Sequence, residues 1–206
     1  FKETDLFKLF QTDELGTLTG EDAQRRMPNL LKLRNAIYSE EFRNFVQQVT
    51  GQSDLTDRVD CSANAYANSC HLLCHDDVIT TRRVSYVLYL SDPDEPWTAK
   101  DGGAVELFPL DPSTAVFDGE GGGFQGLPTA HPSHAHLPLF NSLLLFSVLP
   151  GRSYHAVQEV FARDRPRLSI SGWWHGASPP RCSGGSSEKH VVCRLLGGRA
   201  PSAWAD

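Results

Sequence analysis

Arg83-Val84-Ser85-Tyr86-Val87-Leu88-Tyr89-Leu90 is the stretch that decides the fold. β-Branched and aromatic residues fill it, no 3.6-residue period runs through it, and Asp92-Pro93 closes it, so it reads as a strand. Three more stretches share its texture: Gly103–Phe108, Ser142–Val148 and Arg167–Trp174. Asp101-Gly102 and Leu149-Pro150-Gly151 mark turns between them. Many short strands without alternating helices predict a mainly β sandwich or jelly roll, and not a βαβ sheet.

Upstream the pattern changes. Leu30, Leu33 and Ile37 recur at helical spacing, and Phe42, Phe45, Val46 and Val49 form a second apolar face. Ser39 is an N-cap for that second helix, Glu40 and Glu41 suit its first turn, and Gly51 is its stop. The helices are expected to support the sheet. Two segments read as irregular: Asp111 to Pro138, and a Pro-, Ser- and Gly-rich tail from Ala177 whose apolar run is Val191–Leu196.

The composition narrows the class. At 206 residues and 40% hydrophobic, the chain can bury a substantial core, which excludes disorder throughout. A net charge of −6 argues against direct nucleic-acid binding and against a membrane-surface role, and leaves a basic protein partner open. No stretch reaches the ~18 apolar residues of a membrane span. The five cysteines (Cys61, Cys70, Cys74, Cys182 and Cys193) are odd in number and lack a Cys-x-x-Cys pair. A reducing cytoplasmic or nuclear setting is expected, with Cys70 and Cys74 as small buried residues. The chain opens on Phe1 and not on Met, and reads as part of a longer protein.

The candidate chemistry lies in Leu72-Leu73-Cys74-His75-Asp76-Asp77. On an extended strand His75 and Asp77 share a face and Asp76 points away. With His155 from a distant strand they make a set of two imidazoles and one carboxylate, which suits Fe(II) and leaves coordination positions open. Arg167, on the strand after His155, suits one carboxylate of a 2-oxo dicarboxylate through paired charge-assisted bonds. Ser169 shares its face, and Tyr89 is in phase with Ser85 and Val87 to donate a phenol. The expected co-substrates are 2-oxoglutarate and dioxygen. Trp173 and Trp174 are expected to divide between site and core, and Asp76 to cap a loop. Arg82 and Arg83 read as surface charges, and His131, His134 and His136 as a solvated loop more than as a metal patch.

These motifs resemble those of the ribosomal prolyl-3-hydroxylase family. The resemblance rests on Leu72–Asp77, Arg82–Leu90, the Gly102-Gly103 turn and Arg167–Gly176. It extends upstream to Thr4–Lys8 and Phe42-Arg43, and so spans most of residues 1–176. It implies a catalytic double-stranded β-helix domain over 1–176, supported by N-terminal helices, with a tail over 177–206. By position it implies His75, Asp77 and His155 as iron ligands, Arg167 on the distal carboxylate of 2-oxoglutarate, and Tyr66 and Tyr89 bonded to that co-substrate. The implied reaction is mono- or dihydroxylation of one proline in a decoding-centre protein of the small ribosomal subunit, with ascorbate as reductant. Three departures stand out: the tail is too short for the family's second domain, 118–136 looks inserted, and the loop 92–101 around Trp97 is long. Two other readings remain: a non-catalytic jelly-roll module that binds peptides without iron, and a 2-oxoglutarate oxygenase with another protein substrate. An isomerase or hydrolase using the same ligands is the remaining enzymatic rival.

Overall fold

A computed structural model describes residues 1–119, 123–180 and 190–194. In chain order the elements are β1 (Lys2–Glu3), β2 (Phe7–Gln11), α1 (Glu21–Arg26), α2 (Pro28–Ile37), α3 (Glu40–Thr50), β3 (Leu55–Tyr66), β4 (His71–His75) and β5 (Arg82–Tyr89). They continue with β6 (Val105–Phe108), β7 (Val116–Asp118), β8 (Gly123–Gln125), β9 (His134–His136), β10 (Ser142–Ser147), β11 (Tyr154–Val157), β12 (Arg167–Gly176) and β13 (His190–Arg194).

One curled sheet carries most of these strands in the order β13-β10-β5-β12-β3-β2-β4-β11-β6-β9. Its pairings are antiparallel throughout, as a jelly roll requires. The curl turns on β2. Its C-terminal end pairs with β3 (Phe10↔Ala65) and its N-terminal end with β4 (Phe7↔Leu72). One five-residue strand thus joins the major half, β13-β10-β5-β12-β3, to the minor half, β4-β11-β6-β9.

Strand alternation supplies two cores. One face of the major half, with Val59, Cys61, Val84, Leu143, Leu145, Ile170 and Trp174, packs against Ile37, Phe42, Phe45 and Val46 of the helices. The other face, with Tyr66, Tyr89, Leu144 and Phe146, turns inward against Val105 and Val157 of the minor half. The helices are therefore a buttress on the outside of the roll. α3 begins and ends as its sequence predicts: the Phe42 N–H donates to Ser39 Oγ at 3.1 Å, and Gly51 closes the helix at φ 74°.

Two expectations change. The 111–138 segment is not uniformly irregular: β7 and β8 form a separate hairpin, and β9 joins the minor half beside β6. His190–Arg194 of the expected tail is an edge strand paired with β10, so the sheet extends past residue 176. Edge strands this short carry little periodicity in the sequence, and their partners supply the order. Leu195 and Leu196 lie outside the described residues. Cys70 is buried as expected, whereas Cys74 is exposed.

Gly172 sits in the middle of β12, opposite Cys61 on one neighbour and Tyr86 on the other. A Cβ there would lie 1.7 Å from the Asp60 carbonyl oxygen and 3.0 Å from Tyr86 Oη, which itself donates to that oxygen at 3.0 Å. Gly172→Ala must spread β12 from β3 or break that bond. A loss of about 1–3 kcal/mol or more in urea unfolding is expected, with a wild-type midpoint counting against this packing.

Candidate metal and co-substrate site

The open side of the inner core is a cavity of about 270 Å³ between the two halves of the roll. His75 ends β4, and His155 lies directly opposite it on β11. Their rings are 4.2 Å apart. Asp77 is not on the strand, which corrects the face argument from sequence. β4 stops at His75, and Asp77 adopts a left-handed conformation, φ 60°, that turns its carboxylate back to the imidazoles. A non-glycine residue in that region is uncommon, although Asp is among those that tolerate it.

The carboxylate bridges the pair. Asp77 Oδ1 is 3.1 Å from His75 Nε2, and Oδ2 is 3.2 Å from His155 Nε2. The ligand atoms of the three residues lie within 4.8 Å of one another, the one such group among the described residues. Both outward ring nitrogens are occupied by carbonyls: His75 Nδ1 by Leu73 at 2.8 Å and His155 Nδ1 by Ser153 at 3.0 Å. A carbonyl accepts only N–H, so each Nδ1 carries the proton and each Nε2 can present a lone pair inward. The donor set and its tautomers fit a divalent transition metal such as Fe(II).

Two donors missed in the sequence fix the carboxylate. Ser85 Oγ donates to Asp77 Oδ2 at 2.7 Å, and Trp173 Nε1 donates to the same oxygen at 2.8 Å. Ser85 and Trp173 are register partners on β5 and β12, so the pairing of two major-half strands places both donors side by side. Burial pushes the Asp77 carboxyl up, but His155 and His75 outweigh it and hold the group well below the usual carboxylate range. For His75, burial acts downward and the bond to Asp77 outweighs it, leaving its pKa raised.

The second anchor is Arg167. It is almost fully buried at the start of β12, opposite Tyr66. Its Nε donates to the Gly103 carbonyl at 2.8 Å and its Nη1 to Ser169 Oγ at 3.2 Å. Gly103 has positive φ, and a Cβ there would meet Arg167 Cδ at 3.0 Å, so the second glycine of the turn leaves room for the guanidinium. The cation has no carboxylate partner within salt-bridge distance among the described residues, which is costly for a buried charge unless an anion joins it. The Tyr66 and Tyr89 rings lie 4.8 and 5.1 Å from the guanidinium carbon. Burial raises both phenols, so they remain protonated donors at neutral pH. Tyr66 and Ser169 line the cavity, but Tyr89 does not: its ring packs on Arg167 with Oη buried and unbonded.

Other sequence expectations divide. Trp174 is core and Trp173 faces the site. Asp76 caps the loop, accepting from Gly151 N at 3.0 Å and Val78 N at 3.3 Å. His175 supports its strand end through Thr81 Oγ at 2.9 Å. Arg82 is not a simple surface charge. Its guanidinium stacks 3.4 Å over Trp173 and lines the cavity, while Arg83 pairs with Asp54 at 2.8 Å. A cation stacked on a strand neighbour leaves no trace in a single sequence.

Residues 61–175 match the model of the 2OG-Fe(II) oxygenase superfamily, more than half of the chain. The chain belongs to that superfamily, whose name supplies the metal and co-substrate for which the triad and Arg167 are fitted. Among curated relatives it is 51% identical over 177 residues to the prolyl 3,4-dihydroxylase OGFOD1 of Ostreococcus tauri, covering 85% of this chain and 32% of that protein. It is 33% identical over 183 residues to the prolyl 3-hydroxylase OGFOD1 of Xenopus laevis, covering 87% and 31%. The chain thus spans about a third of the length of these relatives. A solved prolyl 4-hydroxylase from Phytophthora capsici shares the fold, with a TM-score of 0.50 at 22% identity over 77% of this chain and 46% of that one.

Trp173→Phe keeps the ring and removes the N–H that orients Asp77. Loss of such a supporting bond to a ligand typically costs about 10–100-fold in metal affinity. Anaerobic titration with Fe(II), or with Co(II) as a spectroscopic stand-in, should show that weakening, and an unchanged affinity would mean that Ser85 alone suffices.

Proposed function

We propose that this chain is the catalytic part of a 2-oxoglutarate- and Fe(II)-dependent prolyl 3-hydroxylase, adding one or two hydroxyls to a proline of a small-ribosomal-subunit protein. The observation that carries the oxygenase chemistry is the placement of a 2-His-1-carboxylate set and a buried, carboxylate-free Arg167 on one cavity. The prolyl and ribosomal parts rest on similarity: the relatives above are prolyl hydroxylases by name.

In this reading His75, Asp77 and His155 hold the iron through two imidazole nitrogens and a carboxylate oxygen. Iron with 2-oxoglutarate and dioxygen supplies an oxidant for C–H hydroxylation, coupled to oxidative decarboxylation of the 2-oxo acid to succinate. The protein's own work is positioning. Arg167 forks onto the distal carboxylate, Tyr66 donates its phenol from the adjacent strand, and Ser169 steadies the guanidinium. Tyr89, whose ring lies 5.1 Å from that guanidinium with Oη buried and unpaired, is the second phenol that would donate to the same carboxylate. Ser85 and Trp173 keep Asp77 ionised and aimed. Leu9, Val105, Phe146 and Val157 give the cavity dry walls, which strengthens every ionic contact inside. Ascorbate is the expected reductant for iron that has lost an electron without turnover.

The substrate would be a protein loop carrying the proline, with no nucleic-acid contact and no membrane. The free thiols of Cys61, Cys70, Cys74 and Cys193 suit a reducing cytoplasmic or nuclear setting.

The test is incubation with Fe(II), 2-oxoglutarate, ascorbate and proline-containing peptides from small-subunit proteins, read by mass. A gain of one or two oxygen atoms on proline is expected. Succinate release without any peptide gain would keep the oxygenase and reject the substrate. A second prediction concerns Arg167→Ala, which removes two charge-assisted bonds of about 1.5–3 kcal/mol each. The KM for 2-oxoglutarate should rise by about a hundredfold or more while Fe(II) affinity stays within a few-fold of wild type. Equal loss of both would contradict the division of roles.

A further inference from the structure

The two free edges of the curled sheet meet at a cluster of histidines that the site above does not use. β9 and β13 are the last strands at opposite ends of the strand path. His134 and His136 project from one face of β9 with rings nearly parallel, 6.2 Å apart. His190, the first residue of β13, lies 4.6 Å from His134 and 5.4 Å from His136. His131 is not part of the group. The sequence reading of a loop therefore fails for His134 and His136, which are strand residues, although His134 is solvent-exposed as expected, and the neighbour that reading lacked was His190.

Beside the rings is a recess of about 80 Å³ with His134, His190, Arg152, Ser133, Ser147 and Tyr154 in its lining. Among the described residues no carboxylate lines it. Arg152, half-buried on the turn before β11, makes no side-chain hydrogen bond or ion pair among the described residues, and its Nε is buried without a partner there. His136 Nε2 is likewise buried without a partner. Asp76, which approaches the same turn, is committed to the N–H groups of Gly151 and Val78. A buried guanidinium nitrogen without a partner, set beside imidazoles and hydroxyls, leaves a cation with no anion among the described residues. A metal ion does not suit it, because the arginine shares the recess and the three imidazoles do not converge as His75 and His155 do.

We propose that this recess binds a single phosphate-sized oxyanion, held by the Arg152 guanidinium with N–H from His134 and His190 and the Ser147 hydroxyl, while Ser133 Oγ, bonded to the Leu107 carbonyl at 3.3 Å and to His134 Nδ1 at 2.9 Å, sets the His134 ring. Its size admits one tetrahedral anion, free or as a phosphoryl group, and leaves no room for a nucleotide. The position gives the anion a mechanical effect. It would tie β9 and β13 to the turn that contains Ser153, whose carbonyl fixes the His155 imidazole. The recess and the oxygenase cavity are separated by Phe146, which lines both and packs 4.6 Å from His155. Burial, and then mutual repulsion, lower the pKa values of His136 and His190, and an anion would relieve the second of these.

Calorimetric titration of the chain with inorganic phosphate, and in parallel with phosphoserine, tests the assignment. Saturable one-to-one binding of at least one is expected, and the tighter of the two identifies the source of the phosphate group. Arg152→Gln and His190→Asn should each weaken it about tenfold or more, the scale of one charge-assisted bond, and Arg152→Lys should restore part of it. Arg167→Ala, which disables the other cationic pocket, should leave it unchanged. Absence of binding by both ligands, survival in Arg152→Gln, or loss in Arg167→Ala would each overturn the proposal.

Discussion

The structure depends on one carboxylate. Asp77 sits on a left-handed turn between the halves of the roll, and each half sends it two contacts. His75 and His155 come from the minor half at 3.1 and 3.2 Å, and Ser85 and Trp173 from the major half at 2.7 and 2.8 Å. A carboxylate has about four lone-pair sites, so these groups nearly saturate it. The group is therefore a structural joint as well as a ligand. Its ionised form is stabilised twice, by fixed neutral donors on one side and by imidazoles on the other. A divalent cation replaces imidazole protons as the source of positive charge, which couples metal binding to proton release.

The opposite end of the cavity is organised by the reverse problem. Arg167 is a cation almost removed from water, with aromatic faces and a carbonyl for company but no anion. Aromatic faces recover only part of the lost hydration. Between a metal-type donor set and this guanidinium the walls are mostly apolar. A ligand that completes the site needs a chelating end and a carboxylate end joined by a short apolar link, which describes 2-oxoglutarate. The two polar ends are set by different strand pairings, β4 with β11 and β12 with β3, and β2 holds those pairings together by bonding to both halves.

Much of this was legible in the chain. The strand texture, the α3 cap at Ser39 and the Trp173/Trp174 division follow from local chemistry and period, and the residue types of His75, Asp77, His155 and Arg167 point to a metal and a carboxylate, whereas their convergence shows only in the fold. What stayed hidden depends on register or on rare backbone conformation. Ser85 and Trp173 become partners of Asp77 because they face each other across β5 and β12, and a single sequence does not give that pairing. Asp77 reaches the imidazoles through a turn, although strand alternation gave the same residue for a different reason. Tyr89 is in phase with the cavity and in register with Ser169, which lines it, while its own ring packs on Arg167. Arg82 departs from its surface reading because its partners, the Trp173 indole on β12 and Asp60 on β3 at 3.8 Å, are both far from it in the sequence. β9 and β13 escaped because three to five residues are too few to show a period.

The rim of the cavity adds a constraint on what can enter. Leu6 is 39% exposed and Ile79 54% exposed, both line the opening, and Arg82 lies stacked on Trp173 beside them. Exposed aliphatic side chains at a mouth that leads to buried charges favour an apolar group at the entrance. An aliphatic rim of this kind is compatible with the proposed prolyl substrate, while the charged groups of the interior suit the co-substrate. Trp173 serves both the rim, through the Arg82 stack, and the Asp77 oxygen, through its Nε1, so one side chain joins the entrance of the cavity to the carboxylate.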